Sequence, residues 1–218
     1  MLYTVRESEA IGRNSYSTIE NFLRERPLVL VGMMGAGKSA VGRRLAQRLD
    51  IRFVDADEEI VKAANGMAIS EIFESFGEAH FRAMEARVIA RLLESGSQVL
   101  ATGGGAMAHA ETRAAIRSRS ISVWLKAELR VILGRISRKG IATRPMLKGD
   151  DPIGTLRRLM DERDRFYAEA DVTVCSQAVS QQSMVDQVLD EVARFLWSSN
   201  SVDSNVARNG LNQTANPA

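Results

Sequence analysis

Residues 28–39 read Leu-Val-Leu-Val-Gly-Met-Met-Gly-Ala-Gly-Lys-Ser, and this stretch decides the fold. An apolar run leads into the spacing Gly-x-x-x-x-Gly-Lys-Ser, and residues 41–49 carry apolar side chains at helical intervals, which predicts strand, loop and helix. In such a loop, glycines turn backbone N–H groups toward phosphates, Lys38 reaches the terminal phosphates and the Ser39 hydroxyl binds Mg²⁺. A glycine-rich turn with a solvated lysine is the alternative. The predicted ATP-binding residues are Gly35, Ala36, Gly37, Lys38, Ser39 and Ala40.

Short apolar or β-branched runs alternate with longer segments of helical period on both sides of this loop. The runs predict strands at residues 28–31, 51–54, 98–101, 121–125 and 172–175. Helices are expected at about residues 38–49, 58–64, 70–94 (broken near Gly77), 110–118, 127–137, 153–167 and 181–197. Strand-helix alternation predicts an α/β fold, a three-layer α/β/α sandwich around a parallel sheet.

Composition limits the classes of partner. The chain has 218 residues, 45% of them hydrophobic, with a net charge of +2, which suits one globular domain and gives no general reason to bind nucleic acid or a membrane. The single cysteine, Cys175, excludes an internal disulfide. No apolar run approaches the roughly 20 residues of a membrane helix, and residues 1–26 lack the apolar core of a signal peptide. We expect a cytoplasmic monomer.

The two ends differ from the middle in composition. Residues 1–26 are predicted to be a polar N-terminal extension, in which scattered apolar positions fit either a short packed helix or a loose arm. Residues 198–218 are rich in Asn and Ser, and we predict that this tail is disordered. The P-loop domain is therefore expected to span residues 27–197.

Two carboxylates follow the second predicted strand. Asp55 and Asp57 would lie at the carboxyl edge of the sheet, where open α/β sheets bind ligands. Asp55 could bind Mg²⁺ through a water together with Ser39, and Asp57 could accept the proton of an attacking hydroxyl. The alternative is that Asp57 only caps the helix that begins at Glu58.

An arginine and a run of three glycines are further candidates. Arg82 lies one helical turn before Glu85, which can orient its guanidinium, although an exposed ion pair would look the same in sequence. Gly103, Gly104 and Gly105 follow the third predicted strand, where missing side chains would let a ligand approach the backbone; a flexible turn is the alternative. No acidic residue ends that strand, which leaves the Mg²⁺ role to Asp55.

Several motifs occur in one order: the phosphate loop, Asp-Ala-Asp at 55–57, Gly-Glu-x-x-Phe-Arg-x-x-Glu at 77–85, Thr-Gly-Gly-Gly-Ala at 102–106, Thr-Arg-Pro-Met-Leu at 143–147 and Glu-Arg-x-x-Phe-Tyr at 162–167. Over about residues 28–174 the chain resembles shikimate kinases. The resemblance implies a P-loop kinase of the nucleoside monophosphate kinase-like fold with strand order 2-3-1-4-5. It also implies phosphoryl transfer from ATP, with Mg²⁺, to the 3-hydroxyl of shikimate in the pathway to chorismate and the aromatic amino acids.

The resemblance also implies roles for single residues. Arg82 and Arg163 would bind the shikimate carboxylate, with Glu85 orienting Arg82. Asp57 would be catalytic at the reacting hydroxyl. The pocket would be lined by Phe81 and by the backbone of Gly103, Gly104 and Gly105. Arg144, in a lid at about residues 138–151, would close over the transferred phosphate, and Arg135 would lie near the adenine of ATP.

Other functions fit part of the pattern. A kinase for another polyol or sugar acid, such as gluconate, would also use paired arginines. A catalytically silent nucleotide-binding regulator would not need Lys38, Asp57 and Arg144 together. A nucleic-acid-binding P-loop protein would need an extended basic surface, which the near-neutral charge disfavours.

Overall fold

Five parallel strands form one sheet in the computed structural model, which describes residues 19, 21–24, 26–139, 147, 151–176 and 179–211. Their order is β2-β3-β1-β4-β5, and every neighbouring pair is parallel. This confirms the predicted order, and each boundary lies within one residue of its prediction. The strands are β1 (Leu28–Val31), β2 (Arg52–Asp55), β3 (Gln98–Ala101), β4 (Ile121–Lys126) and β5 (Val172–Cys175).

Helices connect the strands in the predicted alternation. They are α1 (Lys38–Arg48), α2 (Ala56–Ala63), α3 (Ile69–Leu93), α4 (Ala110–Arg119), α5 (Leu129–Lys139), α6 (Pro152–Tyr167) and α7 (Gln181–Leu211), with a short 3₁₀ helix at Ala106–Ala108. The predicted break in α3 is present, because Gly77 has non-helical dihedral angles of φ 78° and ψ 170°. No helix within the described ranges has the length and apolar character that crossing a membrane would require.

The core lies on both faces of the central strands. All four residues of β1 and all four of β3 are buried. Because successive side chains of a strand point to opposite faces, complete burial requires helices on both sides of the sheet. The edge strand β5 instead alternates buried and exposed positions. The chain is thus the three-layer α/β/α sandwich that the sequence predicts.

Described residues at both ends lie outside the predicted domain of residues 27–197. Ile19 and Leu23, in the predicted N-terminal extension, are helical and buried in the core, which agrees with the packed-helix alternative for this segment. Residues 1–18 lie outside the described residues. Helix α7 continues past the predicted end at residue 197 to Leu211, into the stretch for which we predicted disorder. Residues 212–218 are again outside the described part.

The predicted lid at residues 138–151 is described only in part. Helix α5 runs to Lys139, so its last turn overlaps the predicted start of the lid. Asp151 caps α6, where its side chain accepts a hydrogen bond from the backbone N–H of Gly154 at 2.8 Å. Residues 140–146 and 148–150 lie outside the described residues, and Arg144 is among them. The lid therefore stays a prediction.

Helix α1 packs on β2 so closely that Gly42 has no room for a side chain. A Cβ atom at Gly42 would lie 2.5 Å from Cε2 of Phe53. We expect Gly42→Val to lower the free energy of unfolding by about 1–3 kcal/mol, because it overpacks the contact between α1 and β2. Urea denaturation measures this change.

The matched control is Gly134→Val in α5, since no atom lies within 4 Å of a Cβ built there. That variant should change the free energy of unfolding by no more than about 0.5 kcal/mol. Equal stability of the two variants would show that α1 does not pack on Phe53 as described.

Candidate active site

The phosphate loop turns tightly between β1 and α1. Gly37 adopts a left-handed conformation at φ 105°, which glycine permits at low cost, and α1 begins at the next residue. The buried Lys38 Nζ donates hydrogen bonds to the carbonyl oxygens of Gly32 at 2.7 Å and Met33 at 2.9 Å. Its ammonium group thus lies inside the loop. The other loop residues predicted to bind ATP belong to the same turn or to the first turn of α1: Gly35, Ala36, Ser39 and Ala40.

Ser39 and Asp55 lie together at the carboxyl edge of the sheet. The Ser39 Oγ donates a hydrogen bond to Oδ2 of Asp55 at 2.7 Å. A hydroxyl and one carboxylate are oxygen donors of the kind that Mg²⁺ prefers, since this ion keeps several waters when it binds nucleotide phosphates. The two residues predicted to bind Mg²⁺ therefore fit that ion in chemistry and in position.

Asp55, and not Asp57, is the helix cap at this edge. Helix α2 begins at Ala56, and Oδ1 of Asp55 accepts a hydrogen bond from the backbone N–H of Asp57 at 3.1 Å. This corrects the alternative in which Asp57 caps a helix starting at Glu58. Asp57 instead lies in the first turn of α2 with an exposed side chain, so capping does not explain its presence.

The three glycines after β3 bring the backbone against the predicted acceptor residues. A Cβ atom on Gly103 would lie 2.7 Å from Oε1 of Glu85 and 3.0 Å from Oδ1 of Asp57. A Cβ atom on Gly105 would lie 2.5 Å from Nη1 of Arg82. Any side chain at these two positions would displace a charged group. The turn is therefore a close-packed wall, and not the flexible turn that was the alternative.

Two carboxylates hold Arg82 from different sides. Its Nη1 donates to Oε2 of the buried Glu85 at 2.9 Å, and its Nη2 donates to Oε1 of Glu78 at 3.0 Å. Glu78 is about half exposed, whereas only 2% of the Glu85 side chain is exposed. The predicted Arg82–Glu85 pair is thus confirmed as a buried contact. Glu78, whose role the sequence did not suggest, occupies the other side of the guanidinium.

Phe81 contributes the apolar part of the same region. It is buried, its ring centroid lies 4.5 Å from that of Phe73, and the Arg82 guanidinium lies 5.1 Å from the centre of its ring. Contact between a cation and an aromatic face is favourable. Phe81 therefore packs beside Arg82, and its predicted role in lining the acceptor pocket stays a prediction.

Arg163 reaches the glycine wall from α6. It is buried, and its Nη1 donates a hydrogen bond to the carbonyl oxygen of Gly104 at 3.0 Å. Arg82 and Arg163, 81 positions apart in sequence, thus meet at adjacent glycines. The Tyr167 hydroxyl donates to the same Gly104 oxygen. Burial, partly opposed by the charge of Arg163, raises the pKa of Tyr167 to about 12. No role was predicted for Tyr167, although it lies one helical turn after Arg163.

Arg135, on helix α5, contacts the backbone of the phosphate loop. Its Nη1 donates to the carbonyl oxygen of Ala36 at 2.8 Å and to Oγ of Ser176 at 2.9 Å, and the Ser176 Oγ donates to the same carbonyl at 2.9 Å. Partial burial lowers the pKa of Arg135, which remains a cation. The structure gives Arg135 a role in holding the loop, and its contact with adenine stays a prediction. Ser176 was missed because it lies in a polar stretch without a recognisable motif.

Comparison with known proteins agrees with this geometry. A family model described as Shikimate kinase matches residues 34–193. The shikimate kinase of Rhodopseudomonas palustris is 55% identical over 174 residues, covering 80% of this chain and 84% of the relative. That of Nitrobacter winogradskyi is 52% identical over 187 residues, or 86% of each chain.

A solved structure of shikimate kinase from Acinetobacter baumannii in complex with shikimate superposes with a TM-score of 0.74 at 35% identity, covering 79% of this chain and 96% of that one. The family match covers residues 34–39 of the phosphate loop, both aspartates, the glycine wall and both arginines. On this evidence the chain belongs to the shikimate kinase family.

Proposed function

We propose that the protein transfers the terminal phosphoryl group of ATP to the 3-hydroxyl of shikimate, and that Arg82 and Arg163 together bind the carboxylate of this acceptor. The proposal rests on one observation above all. The buried Arg163 and the partly buried Arg82, from distant parts of the chain, meet at one glycine wall, beside the Oδ1 atom of Asp57. Such a site offers two cations for an acid group and one carboxylate for a hydroxyl.

A carboxylate is the ligand that this pair of cations favours. A guanidinium binds a carboxylate through two parallel N–H···O bonds. The buried Glu85 orients Arg82 from one side, while the half-exposed Glu78 can yield its position to an incoming carboxylate. The wall of Gly103, Gly104 and Gly105 would then bound the ring of the acceptor.

Asp57 is the proposed partner of the reacting hydroxyl. It lies in the first turn of α2, close to Gly103, with its side chain exposed. A carboxylate in this position can orient a hydroxyl and accept its proton as the phosphorus–oxygen bond forms. Asp57 would thus act on the acceptor and not on the nucleotide.

The nucleotide would lie at the phosphate loop. Residues 35–40 would bind its phosphates, and Lys38 would stabilise the charge on the transferred group. Ser39 and Asp55 would hold Mg²⁺, which, when bound, neutralises charge on the phosphate oxygens. Arg135 would lie near the adenine. Arg144, outside the described residues, would complete the site when the lid closes.

An ADP-release assay with different acceptors tests the proposed function. Purified protein with MgATP should release ADP in the presence of shikimate. Gluconate, which has a carboxylate but lacks the ring, should give no more ADP than a reaction without acceptor. Equal rates with gluconate would favour a sugar-acid kinase, and equal rates without any acceptor would contradict an acceptor-specific kinase.

We propose that Lys38 acts on the nucleotide and Asp57 on the acceptor, and the variants Lys38→Ala and Asp57→Asn test these two roles. Both variants should lose nearly all turnover, because one loses charge stabilisation of the transferred phosphoryl group and the other loses the partner of the hydroxyl. Asp57→Asn should still bind MgATP with unchanged affinity in calorimetry. Loss of MgATP binding in Asp57→Asn would place this residue on the nucleotide.

The arginine clamp can be tested with Arg82→Lys and Arg163→Lys. Each should raise the KM for shikimate by at least tenfold, since a lysine cannot form the paired hydrogen bonds and a poorly paired buried charge costs about 2–5 kcal/mol. The KM for ATP should stay within about twofold of the wild-type value.

Exposed arginines on the same two helices provide matched controls. Arg87→Lys on α3 and Arg158→Lys on α6 should leave both KM values unchanged. A normal KM for shikimate in the Arg82 and Arg163 variants would rule out the clamp.

A further inference from the structure

We infer that Tyr167 is a positioning residue for the acceptor, whose hydroxyl holds Arg163 and the Gly104 carbonyl in the arrangement that binds the acceptor carboxylate. The inference rests on the proposed function of this site and extends it to a residue that need not touch the substrate. It comes from the hydrogen bonds and burial of three groups on α6 and the glycine wall.

Arg163 and Tyr167 share one hydrogen-bond acceptor, the Gly104 carbonyl. The Arg163 Nη1 and the Tyr167 hydroxyl both donate to this oxygen. A backbone carbonyl oxygen has two lone pairs, so it can accept both bonds at once. The Tyr167 hydroxyl therefore fixes the oxygen to which Arg163 is bound, which restricts the rotation of the guanidinium.

Tyr167 also joins the acceptor wall to the phosphate loop. Its side chain is almost completely buried, and its hydroxyl lies 3.5 Å from Sδ of Met33 in that loop. Its ring centroid is 5.9 Å from that of Trp124 at the end of β4. A Cβ atom on Gly32 would in turn lie 3.2 Å from Cδ1 of Trp124. Tyr167 is thus packed between the two parts of the site that must be aligned for phosphoryl transfer.

The chemistry of a phenol suits this role better than a carboxylate would. Glu78 and Glu85 hold Arg82, but among the described residues no carboxylate lies within salt-bridge distance of Arg163. An acidic partner would neutralise Arg163 and compete with the acceptor for its N–H groups. A neutral hydroxyl orients the guanidinium and leaves its positive charge available to the acceptor.

The surroundings of Tyr167 keep its hydroxyl protonated at neutral pH. Burial raises its pKa to about 12, although the charge of Arg163 acts in the opposite direction. At neutral pH the hydroxyl therefore retains the proton that it donates to Gly104. The orientation of Arg163 should not vary over the pH range in which a kinase is assayed.

A double-mutant cycle with Tyr167→Phe and Arg163→Lys tests this inference. Tyr167→Phe keeps the ring and its contact with Trp124, so we expect the variant to fold. Its KM for shikimate should rise roughly five- to tenfold, the usual effect of one lost hydrogen bond, with the KM for ATP within about twofold. In the Arg163→Lys background the same change should raise the KM for shikimate less than about twofold, because Tyr167 acts through Arg163.

Ser122→Ala is the matched control for loss of a buried hydroxyl. Ser122 Oγ donates to Oδ2 of Asp171 at 2.7 Å, near the amino end of β4 and at the opposite edge of the sheet. The thermal stability of Ser122→Ala should fall by about as much as that of Tyr167→Phe. Its KM for shikimate and its KM for ATP should remain normal.

Three outcomes would overturn the inference: an unchanged KM for shikimate in Tyr167→Phe, parallel increases in both KM values, or the same increase in both backgrounds. The wild-type enzyme in the same assay separates the two proposals. Failure of the wild type to release ADP with shikimate would overturn the proposed function. If the wild type releases ADP with shikimate and Tyr167→Phe has an unchanged KM for shikimate, only the role of Tyr167 is overturned.

Discussion

Parallel pairing of β3 with both β1 and β2 is the constraint on which the site depends. In register, Leu30 of β1 and Asp55 of β2 both pair with Ala101 of β3. Parallel strands end at the same edge of a sheet, so the segments that follow these three strands must leave side by side. The segment after β1 is the phosphate loop, the segment after β2 is the first turn of α2 with Asp57, and the segment after β3 is the glycine wall. The pairing of the strands is enough to bring these segments together.

Burial of cations is the second constraint, because a charge removed from water needs hydrogen-bond partners. Lys38 uses backbone carbonyls of its own loop, and Arg135 uses the Ala36 carbonyl with Ser176. Arg82 uses carboxylates, and Arg163 uses the Gly104 carbonyl. The charges are thus held in place before any ligand arrives, which reduces the ordering that binding would require.

The choice of partner differs between the two arginines of the glycine wall. Arg82 has a buried carboxylate on one side and an exposed one on the other, so a ligand can replace only the exposed partner without leaving a buried charge unpaired. The hydrogen-bond partner of Arg163 is the uncharged Gly104 carbonyl, so the charge of Arg163 remains available. Together the pair presents more positive charge to the acceptor than two fully paired arginines would.

Local patterns alone determined much of this protein. Short apolar or β-branched runs predicted all five strands. In β1 and β3 these runs are continuous because both faces are buried, whereas β5 alternates buried and exposed positions. The phosphate loop was recognisable because its chemistry depends on backbone turns that only a fixed glycine spacing allows. The start of the helix after β2 was predicted less accurately: we expected it at Glu58, and α2 begins at Ala56. Both Asp55 and Asp57 are good capping residues, and the choice depends on where β2 ends in the sheet.

Tertiary structure decided which distant residues act together. Nothing in the spacing of Arg82, Gly104 and Arg163 shows that they meet, and the resemblance to a family was needed to expect it. The roles of Tyr167 and Ser176 were invisible for the same reason: each depends on a carbonyl oxygen from a distant loop. The amino-acid sequence identifies the polar groups of a protein. The hydrogen-bond partner of each buried polar group depends on how the helices and strands pack together.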